Sequence, residues 1–168
     1  MKADKKYGAF LGRAAALGAG KAKIISASSV VTADWVRLKC QYGCGMFGAK
    51  LTCPPRSPGP GETKRTLAGY KYGIMIRADT CRDIRRIVPV LEREIFLGGF
   101  RKAFAMGAGP CGLCRECAVT CRHPEQVRPA MEACGIDVFA TAKNNGFRLE
   151  VLRTKASRAD CYGLVLIE

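Results

Sequence analysis

Four cysteines within eleven residues constrain this chain more than any other feature of its sequence. They are Cys111, Cys114, Cys117 and Cys121, at the spacing Cys-x2-Cys-x2-Cys-x3-Cys. This spacing is typical of a short segment that wraps a cubane iron–sulfur cluster, because two-residue gaps bring successive thiolates onto neighbouring irons. Zinc more commonly takes two separated Cys-x2-Cys pairs, since four ligands in so short a run strain a tetrahedral ion. We predict that residues 110–129 bind an iron–sulfur cluster, with zinc as the alternative.

A second cysteine group lies earlier in the chain, within residues 36–61. It consists of Cys40, Cys44 and Cys53, and the last of these is followed by Pro54 and Pro55. The two prolines exclude a helix directly after the third cysteine, so a loop is expected there. In ferredoxins with two clusters, the last cysteine of the short run ligates the other cluster and precedes a proline. Finding the Cys-Pro junction in the earlier group favours ligand sharing between the groups. The alternative is three small buried thiols that bind nothing.

The two groups together contain seven cysteines, whereas two fully ligated cubanes require eight thiolates. We therefore expect one or two 4Fe-4S clusters, with one iron that lacks a protein thiolate in the two-cluster case. That iron would bind substrate, water, a non-cysteine ligand such as His123, or an eighth cysteine. The remaining cysteines are Cys81, Cys134 and Cys161. Each is isolated in the sequence, and such a cysteine is more often a plain core thiol.

The sequence also constrains the compartment in which these cysteines act. No apolar stretch approaches the roughly 20 residues of a membrane span. The N-terminal apolar segment is interrupted by Arg13 and by several glycines, which argues against an export signal. We therefore expect a cytoplasmic protein, in which reducing conditions disfavour disulfides and favour metal ligation by clustered thiols.

The chain is strongly basic, with a formal net charge of +14. Its 28 lysines and arginines are spread along the whole length, without the basic block or aromatic-interleaved motif of a nucleic-acid-binding module. Such a surface suits an acidic redox partner protein or a small anionic substrate. We expect neither a nucleic-acid partner nor a membrane partner, and the sequence leaves the oligomeric state open.

The hydrophobic pattern predicts a single α/β domain over residues 1–168. We expect a mixed sheet flanked by helices, with a cysteine-rich layer at one end. Predicted helices lie near residues 4–18, 62–69, 84–95, 129–134 and 137–143. Predicted extended segments lie at 22–31, 35–39, 72–77, 147–152 and 162–167. Thr80 is expected to cap the third helix and Asp137 the last one, and Pro89 is expected to kink or restart the third.

Several motifs in combination give the chain a family resemblance from about residue 36 to its C-terminus. These are Val36-Arg37-Leu38-Lys39-Cys40, the Cys44 loop, Cys53-Pro54-Pro55, the run from Pro110 through Cys121-Arg122-His123-Pro124, Arg128-Pro129, and Glu132-Ala133-Cys134-Gly135-Ile136-Asp137-Val138. On these motifs the chain resembles a family of cysteine-rich predicted metal-binding proteins found mainly in anaerobic bacteria and archaea. The resemblance implies metal binding through the same seven cysteines and supplies no reaction.

Three arginines lie beside these cysteines and prolines, namely Arg37, Arg122 and Arg128. They are candidates to stabilise an anionic cluster or substrate, and ordinary surface charges or carboxylate partners are the alternative. The function that follows is an oxygen-sensitive iron–sulfur protein that carries electrons for a partner enzyme. One rival is an enzyme that uses an incompletely ligated cluster for small-molecule redox or Lewis-acid chemistry. Another is a structural or metal-delivery module that holds zinc.

Overall fold

The computed structural model describes residues 2–154 and 160–168. Within them lie five α-helices and one four-stranded sheet, and no helix there is long and apolar enough to cross a membrane. The helices are α1 (Lys2–Ala16), α2 (Asp34–Gly43), α3 (Pro60–Leu67), α4 (Cys81–Leu97) and α5 (Val138–Asn144). The strands are β1 (Lys21–Ser26), β2 (Tyr72–Ala78), β3 (Phe104–Met106) and β4 (Cys161–Leu166). The α/β class predicted from the sequence is confirmed.

The sheet has the order β1-β2-β4-β3, and every neighbouring pair is antiparallel. The last strand of the chain therefore lies between β2 and β3, which run parallel to each other without pairing. The sheet is antiparallel rather than mixed as expected, because β4 occupies the position that a direct β2–β3 pairing would need. All six residues of β4 are buried, as its nearly continuous apolar sequence predicts for a central strand.

One face of the sheet is covered by α1 and α4. The apolar stripe of α4 is fully buried, and Thr80 caps the helix by accepting a hydrogen bond from the Asp83 N–H (3.1 Å). The helix continues through Pro89. It lies very close to β4, since a methyl group at Gly163 would come within 2.7 Å of Ile84 Cγ2 and 2.8 Å of Val88 Cγ1. Only glycine permits this approach of helix and strand.

The opposite face of the sheet packs against the chain that follows the main cysteine run. Met75 and Leu164 of the sheet share a buried cluster with Met131, Ile136 and Val138. A single turn of 3-10 helix covers Glu132–Cys134, and the Asp137 carboxylate caps α5 by accepting from the Ala140 N–H (2.9 Å). The predicted turn and capped helix are both confirmed. The 3-10 turn and α5 thus attach one edge of the cysteine-rich layer to the apolar core.

Two of the predicted strands are wrong. Residues 35–39 belong to α2, which turns Val36 and Arg37 toward the protein and leaves Trp35 and Leu38 exposed. A five-residue alternation fits a strand and a helix equally, and here the contacts of Arg37 with a distant turn favour the helix. Residues 147–152 form no strand, because only Phe147 is buried, edge-to-face on Tyr162 at 5.6 Å, and the chain after it stays near solvent.

Candidate metal centre

The main cysteine run forms a loop that leaves the sheet after β3 and returns to the same point. The Gly107 N–H donates to the Pro129 carbonyl (2.7 Å), and the Met131 N–H donates to the Gly107 carbonyl (2.9 Å). These two bonds close the loop at its base. Between them, residues 109–128 form neither helix nor strand. The segment predicted to bind the cluster, 110–129, is thus a closed loop anchored on the edge of the sheet.

All four thiols of this loop line one narrow pocket. Cys111, Cys114, Cys117 and Cys121 are each partly exposed, and the pocket wall also includes His123. The backbone N–H of His123 donates to Cys121 Sγ at 3.4 Å. A backbone N–H on a cysteine sulfur is one of the interactions that tune iron–sulfur clusters. The loop therefore gathers its sulfurs on one side, with the single histidine beside them.

Lys50 connects the two cysteine groups. It lies between Cys44 and Cys53 in the chain, is 6% exposed, and lines the same pocket. Its Nζ donates to the carbonyls of Cys114 (2.9 Å) and Arg115 (2.8 Å). Among the residues that the structure describes, no carboxylate pairs with this lysine. A buried cation held only by neutral carbonyls is unfavourable on its own, so this pocket favours an anionic occupant.

The first cysteine group also meets the main loop. Cys40 lies in α2, Cys44 follows it in solvent, and Cys53 is buried in the next loop. Burial raises the pKa of the Cys53 thiol, and the nearby thiols of Cys44, Cys40 and Cys111 raise it further. Burial and Cys44 likewise raise the pKa of Cys40, an effect that Arg37 partly offsets. The effect of Cys111 on the pKa of Cys53 indicates that the two groups lie within electrostatic range of each other.

The donor set is the kind that soft metal centres use. Four thiols line the pocket and three more belong to the neighbouring first group, and thiolates select iron–sulfur clusters, zinc or Cu(I) over hard cations. Within the described ranges, no three His, Cys, Asp or Glu side chains lie close enough to hold a single metal ion. The thiol chemistry and the unpaired Lys50 cation together fit an anionic thiolate-ligated cluster. The sequence had given no sign of Lys50, because an isolated lysine in a glycine-rich loop carries no pattern.

The structure gives two of the three candidate arginines protein partners. The Arg128 guanidinium forms a two-point contact with Glu92 of α4, at 2.6 Å from Nε and 2.5 Å from Nη2. Arg37 donates to the Ala133 carbonyl (2.7 Å) and to Ser57 Oγ (3.1 Å). Arg122 lies exposed at the wall of the thiol pocket. Arg128 thus takes the alternative role of carboxylate partner, whereas Arg37 remains electrostatically close to Cys40.

Comparison with known families decides where this chain belongs. The family model described as a predicted metal-binding protein, DUF2284, matches residues 23–167. The chain belongs to the DUF2284 family. No curated protein and no solved structure matched the chain. The matched range includes both cysteine groups, Lys50, most of β1 and the other three strands, so metal binding is the property that DUF2284 membership predicts for this centre.

Three cysteines of this DUF2284 chain lie outside the two groups, and the expectation of plain core thiols is confirmed for Cys134 but wrong for Cys81 and Cys161. Cys134 is a buried free thiol, and desolvation raises its pKa to about 12. Cys81 and Cys161 form a disulfide with each other. The expectation that disulfides would be disfavoured is wrong for this pair. Because their sulfurs are joined, neither is available as an eighth ligand in this state, which leaves His123 as the candidate nearest to the main thiols.

Proposed function

We propose that the loop of residues 108–128 binds a 4Fe-4S cluster through Cys111, Cys114, Cys117 and Cys121, and that the protein carries electrons for a partner enzyme. The observation that carries this proposal is Lys50, a buried cation that lines the pocket of the four thiols and has no carboxylate partner among the described residues. A cubane with four thiolates has a net charge of about two negative units and would supply the missing anion. Such a cluster, when bound, supplies one-electron transfer.

The protein contributes charge and hydrogen bonds around the sulfurs. Lys50 fixes the loop through two carbonyls and brings its positive charge to the pocket. The His123 N–H bonds the Cys121 sulfur. A nearby cation and an N–H donor both stabilise the more negative, reduced state of a cluster, so both raise its reduction potential.

The surroundings of the thiols suit a protein partner. Val119 at the loop tip is 99% exposed, and Leu113 is 51% exposed. Three large apolar side chains are exposed on α2 around Cys40, namely Trp35, Leu38 and Tyr42. Clustered exposed apolar groups mark interaction surfaces, and the net charge of +14 attracts an acidic partner. These features support electron delivery to an enzyme that docks over the cysteine-rich layer.

One observation favours a second candidate function. Cys44 is exposed, whereas its neighbours Cys40 and Cys53 are at least partly buried. A three-thiol set open to solvent would leave one metal position for a small molecule. We propose this as the rival: catalysis at an incompletely ligated centre formed by the first group.

Metal and sulfide analysis of anaerobically purified protein tests these proposals. We expect about four iron and four sulfide atoms for each cluster, and an EPR signal after reduction. Cys117→Ser should abolish this signal, and Cys134→Ala is the matched control because that cysteine is buried outside both groups. Stoichiometric zinc without sulfide would overturn the cluster proposal.

Cys53→Ser distinguishes one cluster from two. Loss of part of the iron with the fold intact supports a second centre, and unchanged metal content contradicts it. Small molecules that alter the EPR spectrum of the wild type, but not that of Cys53→Ser, would favour the catalytic rival over electron transfer.

A further inference from the structure

We propose that Cys81 and Cys161 form a redox-active dithiol–disulfide site, in which Cys81 is the sulfur that exchanges with an external dithiol. The pair lies outside the seven-thiol centre, at the junction of α4 and β4. The proposal does not rest on any bound metal. It rests on unequal exposure of the two cysteines, on a sheet that holds them together without the bond, and on the charges that face Cys81.

The two cysteine residues are unequally exposed. Cys81 is the first residue of α4 and is partly exposed, whereas Cys161, the first residue of β4, is 8% exposed. Thiol–disulfide exchange requires an in-line approach to the sulfur that is attacked, so access selects Cys81. In such a pair, the more accessible cysteine exchanges with the external thiol, and the sheltered one acts as the resolving cysteine.

The sheet holds the two cysteines as neighbours whether or not they are bonded. In the ladder between β2 and β4, Ala78 lies directly opposite Cys161, and Ala78 precedes Cys81 by three residues. The cap at Thr80 fixes the start of α4 independently, through the Asp83 N–H. Opening the disulfide therefore leaves the chain path in place, and the two thiols remain close enough to bond again.

The charges around the pair favour a thiolate on Cys81. It lies at the N-terminus of a seventeen-residue helix, whose dipole stabilises negative charge. Arg85 lies one turn further along the same face, and a methyl group at Gly109 would be 3.3 Å from Arg85 Nη1 and 4.0 Å from Cys81 Sγ. Each cysteine has an acidic neighbour, Asp83 in the first turn of α4 and Asp160 before Cys161, so the helix N-terminus and Arg85 make the difference between them. A negative charge is thus better stabilised on Cys81.

The reaction is balanced with an external dithiol as reductant. Its thiolate attacks Cys81 Sγ, the Cys81–Cys161 bond breaks, and Cys161 leaves as a thiolate that takes up a proton. The second thiol of the reductant then attacks the mixed disulfide and releases Cys81. Two electrons and two protons pass to the protein, and the reductant becomes a disulfide. The reverse sequence would reduce an external disulfide.

Mass spectrometry can follow each sulfur separately, with dithiothreitol in reduced and oxidised forms as the probe. Cleavage after Arg77, Arg82 and Arg158 places Cys81 in peptide 78–82 and Cys161 in peptide 159–168, each with one cysteine. We expect reduction and re-oxidation in the native full-length chain, with an unchanged far-UV circular dichroism spectrum. Reduction only after denaturation, or failure to re-oxidise, would overturn the proposal.

Two single variants test the assignment of the exchanging sulfur. With glutathione disulfide, Cys161→Ser should form a mixed disulfide at Cys81 about tenfold faster than Cys81→Ser does at Cys161. Arg85→Met in the Cys161→Ser background should slow this reaction, because it removes a positive charge that stabilises the thiolate. Equal rates at the two sulfurs, or unfolding of either serine variant, would assign the bond to fold stability alone. Iron content, measured in the same samples, should not change.

Discussion

The sheet and the cysteine-rich layer are ordered by different forces. The sheet is buried on both faces, by α1 and α4 on one side and by the segment around α5 on the other. The loops at 44–59 and 108–128 bury little apolar surface and are anchored by a few polar contacts, among them those of Lys50 and Arg128. Apolar burial is the main force that stabilises the sheet, whereas we expect the arrangement of the loops to depend on what the thiols bind.

The largest expected effect is a loss of sheet stability without a loss of metal. Ile76→Ala removes a fully buried side chain from the core under α4, and we expect the free energy of unfolding to fall by about 4 kcal/mol. Val119→Ala, at a 99% exposed position in the cysteine loop, should change it by less than about 0.5 kcal/mol. Urea unfolding followed by circular dichroism measures both. A lower iron content per folded chain in Ile76→Ala would show that the two regions are not separable.

Arg128→Met tests the ion pair that joins the two regions. This change leaves the Glu92 carboxylate buried beneath the loop without its guanidinium, and we expect a loss of about 3 kcal/mol. The matched control is a second ion pair of α4, which lies two residues after Glu92. Arg13 pairs with Glu94 at 2.8 Å, but both side chains are at least 33% exposed and solvent screens the pair, so Arg13→Met should lower stability far less than Arg128→Met does. Equal losses would show that burial does not set the strength of this contact.

Removal of metal should loosen the loops and spare the sheet. After chelation, we expect amide hydrogen exchange in 44–59 and 108–128 to accelerate about 100-fold, equivalent to roughly 2.7 kcal/mol of lost ligand stabilisation. Exchange in β2 and β4 should stay slow, because both strands are buried on both faces. Cooperative loss of protection in the strands would make the metal a staple of the whole fold, as in a structural zinc module.

The elements that could be predicted from sequence are those with local causes. The stripe of α4, the caps at Thr80 and Asp137, and the apolar run of β4 each contain their own signal within a few residues. The strand predicted at 35–39 was wrong because that pattern is too short to distinguish the period of a strand from the period of a helix. Its structure is decided by Arg37, which reaches a carbonyl 96 residues away.

The missed parts of the candidate site depend on contacts that sequence spacing does not encode. Lys50 meets carbonyls 64 and 65 residues further along the chain. Cys81 and Cys161 are separated by 80 residues and meet only because β4 inserts beside β2. The spacing of the four main thiols predicted a common pocket because those residues lie within one short loop. The surrounding charges and the disulfide could not be predicted in this way, because they depend on the register of the sheet.

The smallest expected effect is the most specific to the cysteine layer. Lys50→Met removes the buried cation while it preserves much of the side-chain volume, and we expect iron release to a chelator to accelerate about tenfold, or roughly 1.4 kcal/mol. Lys39→Met is the matched control, since Lys39 is adjacent to Cys40 but exposed, and solvent screens its charge. Lys50→Arg should retain more iron than Lys50→Met. The reduction potential should fall in Lys50→Met, because a positive charge near the reduced cluster is lost. Similar iron release from Lys50→Met and Lys39→Met would contradict an anionic occupant beside Lys50, and the buried lysine would then serve only to hold the two loops together.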